Sequence, residues 1–241
     1  MIGDDKGLPA SITGLFGTAF TLFFRRFSLY ATLAVAAFAV QFFVDLAVMQ
    51  DTGLALGLNI VVGSFVAAAV SIGVAFDIAR KDADWSTIFN AAALRWGVVV
   101  VIDLVSYLVQ NLVLANLFLP PDETGYGLLL VPLIVMWGAV MMASVVAAID
   151  PAKSRLTLPA VALAKGIVVS LQFANLGRLM LFSLVAALPL IAEILLRQFL
   201  VTRGVPEPDF WSGIPIDAIA VGPLQALATV FYIDFLRRAK R

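Results

Sequence analysis

Six apolar stretches, each 21 to 25 residues long, dominate this chain: residues 29–49, 54–78, 96–119, 127–149, 176–200 and 214–235. A bilayer core of about 30 Å is crossed by roughly 20 apolar residues in a helix, so each run has the length of a span. A strand could not satisfy its backbone in lipid unless it closed into a barrel, whose strands are short and alternate in hydropathy. These runs are continuous. Of the 241 residues, 62% are hydrophobic and 13% charged. A soluble domain holds about 25% charge, and one globule could not hide so much apolar surface. The expected fold class is all-α: a polytopic membrane protein with about six transmembrane helices arranged as three hairpins.

Charge placement sets direction. With both termini on one side, that side carries fourteen of the sixteen basic residues, and the other carries only Arg197 and Arg203. The positive-inside rule then puts both termini in the cytoplasm. An odd number of spans would split the two basic termini across the membrane, so the ratio supports the even count too. The expected location is the bacterial inner (cytoplasmic) membrane. Residues 1–7 hold two aspartates and one lysine. That is not the basic start of a cleaved signal peptide, and the first apolar run is expected to be retained. On the outer side, residues 50–53 read as a tight hairpin and residues 120–125 as a breaker-rich turn. Residues 202–213 form the longest loop, with Phe210 and Trp211 expected at headgroup level.

The inner segments carry helical pattern of their own. In Ser11 to Phe27, Ile12, Leu15, Phe16, Ala19, Phe20, Phe23 and Phe24 recur at helical spacing before Arg25-Arg26, as in an interfacial amphipathic helix. Asp84 to Arg95 repeats the theme, with Asp84 as N-cap. Thr157 to Gln172 repeats it again, with Thr157 capping and Pro159 in the first turn. Ser11, Asp84 and Thr157 lie 73 residues apart. The chain reads as one transmembrane domain over residues 1–241, with internal repeats over about 11–80, 84–150 and 157–238. The repeat rests on the order of elements, not on identities, and any six-span chain with medium loops can look periodic.

Absent residue types remove whole chemistries. There is no cysteine and no histidine. Disulfides, thiolate and Ser-His-Asp catalysis, Fe–S clusters, and haem held by His or Cys are excluded, as is almost every zinc site. No Walker, Rossmann or calcium-loop motif occurs. Neither a cofactor nor a nucleic-acid partner is expected, the net charge being zero. The expected partners are membrane lipids and other integral membrane proteins.

The candidate functional residues are charges inside spans, which are costly to hold there. Asp103 lies in the third span near Ser106, Tyr107 and Gln110. Glu193 lies in the fifth, with Arg197 one turn later on the same face. Asp45 lies in the first, one turn after Gln41. Together they would line a polar cavity or proton path. On the structural reading, Asp45, Glu193 and Arg197 reach the outer interface, and Asp103 bonds to a neighbouring helix with Arg95 or Arg178 as partner. A second cluster closes the returning spans: Asp77 with Arg80, then Asp150, then Asp234 with Arg237. It would fix helix ends to the basic lead-in helices by ion pairs, or bind headgroups. Gly53-x3-Gly57, Gly63-x3-Ala67 and Ala139, Ala143 and Ala147 offer close-packing faces. Pro132, Pro189 and Pro223 are expected to kink spans four, five and six.

Thr13-Gly14-Leu15-Phe16, Phe20 and Leu22-Phe23-Phe24-Arg25-Arg26-Phe27 resemble the opening of the six-helix membrane domain fused to some bacterial glycerophosphoryl diester phosphodiesterases. Relatives of that domain occur as free-standing inner-membrane proteins. Gly222-Pro223-Leu224 and Ala228 to Arg237 are similar to its close, and Ala162-Leu163-Ala164-Lys165-Gly166 to its helix before span five. The resemblance covers most of the chain in layout and these stretches in sequence. It implies the membrane architecture. The fused catalytic domain uses His and Glu, so its activity does not follow for a chain without histidine. Three functions are compatible with these residues. The first is a non-enzymatic accessory or scaffold subunit, or a lipid-organising protein. The second is a small transporter or lipid-translocating protein using Asp103 and Glu193. The third, an enzyme acting on lipid, would need clustered carboxylates, and the candidate acids lie at different depths.

Overall fold

The computed structural model describes residues 8–47, 52–117, 126–150, 158–206 and 208–239. The turns expected at residues 50–53 and 120–125 lie largely outside these residues, and the Thr157 cap and the side chains of Asp45 and Phe210 lie wholly outside. The described chain is helical and holds no strand. Its elements are α1 (Ile12–Arg25), α2 (Phe27–Ala47), α3 (Thr52–Ile78), α4 (Trp85–Leu117), α5 (Tyr126–Ile149), α6 (Leu158–Ser170), α7 (Phe173–Ala186), α8 (Leu188–Thr202) and α9 (Pro208–Ala239). Among the described residues, six spans are long and apolar enough to cross a bilayer; α7 and α8 together make the fifth.

The hairpins do not share burial evenly. Within the span windows of α3, α5 and α9, 56%, 50% and 67% of residues are buried, against 11% for α2, 17% for α4 and 33% for α7 with α8. The returning helix of each hairpin thus sits inside, and the outgoing helix lies outside it. Residue size explains the choice. Lipid gives apolar helices no hydrophobic reason to prefer each other, so close approach of small residues decides what packs centrally. The inner helices present Ala67, Ala68, Ala69 and Ser71, then Ala139, Ala143, Ser144 and Ala147, then Ala226, Ala228 and Thr229, all buried. The outer helices turn large side chains outward, with Leu94, Val101, Leu104, Leu108 and Leu112 forming an exposed stripe on α4.

The three lead-in segments take different forms. In the first, the Ser11 hydroxyl accepts a hydrogen bond from the Gly14 N–H at 3.1 Å and starts α1. Leu15, Ala19 and Phe23 face the bundle, whereas Phe20 and Phe24 are exposed. Phe16 meets Phe231 of α9 edge-on, with ring centres 5.5 Å apart. The second is not a separate element. Asp84 caps it through the Thr87 N–H at 2.8 Å, but the helix runs on as the 33-residue α4. Asp84 to Leu117 contains no proline, and Gly97 alone does not break the ladder. In the third, α6 packs on α5. Gly166 lies so close to Ala143 that a Cβ there would come within 2.5 Å of its Cα.

The three prolines differ in how far they interrupt their spans. The fifth span breaks at Ala187, just before Pro189 in the first turn of α8. By contrast, α5 and α9 continue as unbroken helices through Pro132 and Pro223. A proline within a bundle is tolerated where neighbouring groups satisfy the freed carbonyl.

Candidate binding cavity

The break at Ala187 shapes the centre of the molecule. Before it, α7 packs on both α5 and α9. Beyond it, α8 follows α9 without a comparable contact to α5. Behind α8, toward the end of the bundle opposite the described termini, lies a cavity of about 720 Å³. All six spans line it: Gln41 from α2, Asn59 and Gly63 from α3, Tyr107 and Gln110 from α4, Trp137 and Met141 from α5, Glu193 and Arg197 from α8, and Leu224 and Gln225 from α9.

Polar groups hold this lining in place. The Gln41 amide donates to the Asn59 carbonyl at 3.4 Å, and the Asn111 amide to the Tyr107 carbonyl at 2.9 Å. On the floor, the buried Gln225 amide donates to the Ser71 hydroxyl at 2.8 Å, joining α9 to α3. The Glu193 carboxylate reaches α9, where a Cβ on Gly213 would lie 3.1 Å from its Oε1. Apolar walls from Phe38, Ile60, Val66, Leu114 and Leu190 complete the chamber. An intramembrane chamber with a carboxylate, a guanidinium and several amides among hydrocarbon side chains can hold a molecule that is itself part polar and part apolar.

The four expected intramembrane charges do not share one place. Glu193 and Arg197 both line the cavity. Asp103 does not; it sits in the seam of α3, α4 and α5. There the Ser64 hydroxyl donates to its carboxylate at 2.6 Å. Ser144 of α5 lies beside the same carboxylate without a hydrogen bond of ordinary length. The expected partner Arg178 is bound to Asp234 instead, and Arg95 makes no such bond. The Asp45 side chain lies outside the described residues. Sequence reasoning passed over Asn59, Asn111 and Gln225. The available signal was neutral amides within spans, since these too need partners in hydrocarbon.

The acids at the opposite end are tied by ion pairs. Asp77 takes Arg26 from the α1–α2 break rather than Arg80. The guanidinium gives two bonds, of 2.9 and 2.8 Å, and a third to the Ala83 carbonyl at 2.7 Å. That bond to Asp77 holds the Arg26 pKa above its ordinary value. Arg80 adopts a left-handed backbone, φ 52°, just past α3. Its N–H bonds the Asp77 carbonyl and that of Lys81 bonds the Phe76 carbonyl, at 3.0 and 2.9 Å. This is a Schellman closure of the helix. Asp150 pairs with Lys165 of α6. Asp234, fully buried, gathers Arg178 at 2.6 Å, Arg237 at 2.7 Å and Arg238 at 2.9 Å. Arg237 and Arg178 also donate to the Leu8 and Ala10 carbonyls, which ties the segment before α1 to this end.

The small-residue faces divide similarly. Ala139, Ala143 and Ala147 are buried inside the bundle. Gly57 and Gly63 have open space where a Cβ would stand, so neither is a site of close helix contact, and Gly63 faces the cavity instead. Only part of the Gly53-x3-Gly57 motif can be placed, because the Gly53 side lies outside the described side chains.

Fold and cavity together define a class: an α-helical, multi-pass integral membrane protein with a polar chamber between its spans. No family model matches this chain, and no curated protein or solved structure is similar to it. The resemblance to the six-helix membrane domain rests on the stretches quoted above.

Proposed function

We propose that this protein binds an amphiphilic molecule in the central cavity and moves it within or across the membrane, as a small transporter or lipid-translocating protein without enzymatic activity. The cavity carries the reading. A static bundle gains nothing from about 720 Å³ of space lined by Glu193, Arg197 and a set of amides, since polar groups at membrane depth are costly to place. The volume falls within the range of about 300–1,000 Å³ usual for small-molecule sites. The scaffold reading drew on free small-residue faces, and Ala139, Ala143 and Ala147 are engaged inside the bundle. The excess of basic residues on the termini side supports an orientation with both termini in the cytoplasm and the cavity toward the outer leaflet, in keeping with a bacterial inner membrane as its location.

The test uses Gly63→Leu. An added Cβ there meets nothing within 4 Å and Gly63 lines the cavity, so the leucine side chain of the variant starts into the chamber and narrows it. In proteoliposomes carrying fluorescent phospholipid and fatty-acid analogues, the natural chain should speed redistribution of at least one probe over empty vesicles. Gly63→Leu should abolish that gain, and Glu193→Gln with Arg197→Gln should reduce it. Equal rates for the natural chain and Gly63→Leu would reject the proposal.

A further inference from the structure

At the end bearing the described termini, each returning helix closes on an aspartate, and each aspartate holds a cation. In the first and third hairpins that cation, Arg26 or Arg178, stands at the start of the hairpin's own outgoing span. In the second hairpin the basic residue of the outgoing helix α4 is Arg95. The aspartate closing that hairpin, Asp150, is held by Lys165 of α6 and not by Arg95. Among the described residues the Arg95 side chain enters no ion pair or hydrogen bond, and neither does the Lys81 ammonium, just past α3, whose bond to Phe76 is made by its backbone N–H alone.

Both cations border a second, separate slot of about 230 Å³ between the ends of α3, α4 and α5, sharing no wall with the central cavity. Ile72, Phe76, Ala79, Leu94 and Ile149 make its walls apolar. Leu94 is 74% exposed and begins the outward stripe of α4, so the slot opens where that helix meets lipid. Trp85 and Trp96, both partly exposed, flank this stretch of α4, as aromatic side chains do at a headgroup boundary. The acid beside Lys81 is Asp82, which is exposed. Among the described residues, the lining of the slot itself carries Lys81 and Arg95 and no acid.

We propose that this slot holds an anionic phospholipid, an acyl chain lying between α3, α4 and α5 and the phosphate resting on Arg95 and Lys81. An apolar slot that opens to hydrocarbon suits an acyl chain. Two cations without protein partners at its mouth suit a phosphate, which arginine can grip with two parallel hydrogen bonds. The site is independent of the central cavity and of any transport through it.

Native mass spectrometry tests this on the full chain in mild detergent, titrated with phosphatidylglycerol or phosphatidylcholine of the same acyl chains. Phosphatidylglycerol should be retained at about thirtyfold lower concentration, the preference that two interfacial cations supply. Arg95→Gln with Lys81→Gln should abolish the preference. Ala79→Leu, which keeps both charges but narrows the slot, should lower retention of both lipids. Arg203→Gln, at the opposite end, should change neither. Equal retention of the two lipids by the natural chain would overturn the proposal, as would an undiminished preference in the double variant. Displacement of the lipid by inorganic phosphate alone would reassign the pair to a free anion, and unchanged retention in Ala79→Leu would reduce it to surface charge; either outcome also overturns the site.

Discussion

Arg26 closes on Asp77, 51 residues away at the end of α3, through two hydrogen bonds of 2.9 and 2.8 Å. The pair pins the break between α1 and α2 to the returning helix of the same hairpin. Asp77 keeps 3% of its side-chain surface and Arg26 17%, so neither charge can turn to water when its partner is lost. Removing one member of a buried pair costs about 3–5 kcal/mol, trimmed to about 2–3 by the residual exposure of Arg26. Arg26→Gln is expected to lose that much in denaturant titrations in micelles. Replacing both residues, as Arg26→Met with Asp77→Leu, should regain most of it. A single variant as stable as the natural chain would show that the pair does not hold the hairpin.

Gly166 lets α6 lie on α5. A Cβ there would come within 2.5 to 2.7 Å of the Ala143 Cα, N and Cβ, and backbone cannot step aside as a side-chain tip can. Overpacking of this kind costs about 1–3 kcal/mol. Gly166→Ala should therefore destabilise, although alanine is the better helix former by about 1 kcal/mol. Gly177→Ala meets open space and should be neutral or stabilising. Thermal unfolding of the two variants side by side checks the contrast. If they behave alike, packing at this crossing is not the controlling factor.

The architecture was legible in the sequence because lipid forces every span to be one long apolar run. The inner and outer roles of the helices were not. A span is apolar on every face, so no period in hydropathy marks which side meets protein, and only the small residues of α3, α5 and α9 hint at it. Ionisable residues drew attention to Asp103, whereas the cavity is built as much from Asn59, Asn111 and Gln225, whose amides carry no charge to mark them. Arg80 lies three residues after Asp77, a spacing that suggests an ion pair within a helix. The helix ends at Ile78, so that spacing no longer applies, and the partner is Arg26, distant in sequence. Glycine spacing misled for a related reason: Gly63-x3-Ala67 fits close packing, but nothing packs on Gly63.

Arg80 occupies the position past α3 that glycine usually fills, with φ 52°. A side chain in the left-handed region costs roughly 1 kcal/mol relative to glycine. The closing bonds, from the Arg80 and Lys81 N–H groups, belong to the backbone, so glycine keeps them. Arg80→Gly is expected to raise stability by about 1 kcal/mol, and Arg80→Val, branched at Cβ, to lower it. Unfolding midpoints at constant detergent decide; a destabilised glycine variant would mean that the arginine side chain contributes a contact outweighing its backbone strain.

Asn175 joins three helices from a fully buried position on α7. Its amide donates to the Val169 carbonyl near the end of α6 at 2.8 Å and to the Phe235 carbonyl of α9 at 3.3 Å. Both acceptors are main-chain oxygens, and no water from the bulk reaches a residue with 0% exposure. Leucine would fill similar volume but strip both carbonyls of the donor, and a buried polar group left without a partner costs about 1–3 kcal/mol. Asn175→Leu should therefore destabilise by about that amount. It should also speed amide exchange at the α6–α7 junction more than at α3 or α5. Asn111→Leu is the control: that amide bonds a carbonyl of its own helix, that of Tyr107. Its loss should leave exchange at the α6–α7 junction unchanged. Equal exchange rates at the junction in both variants would mean that α6, α7 and α9 are held together by apolar packing alone.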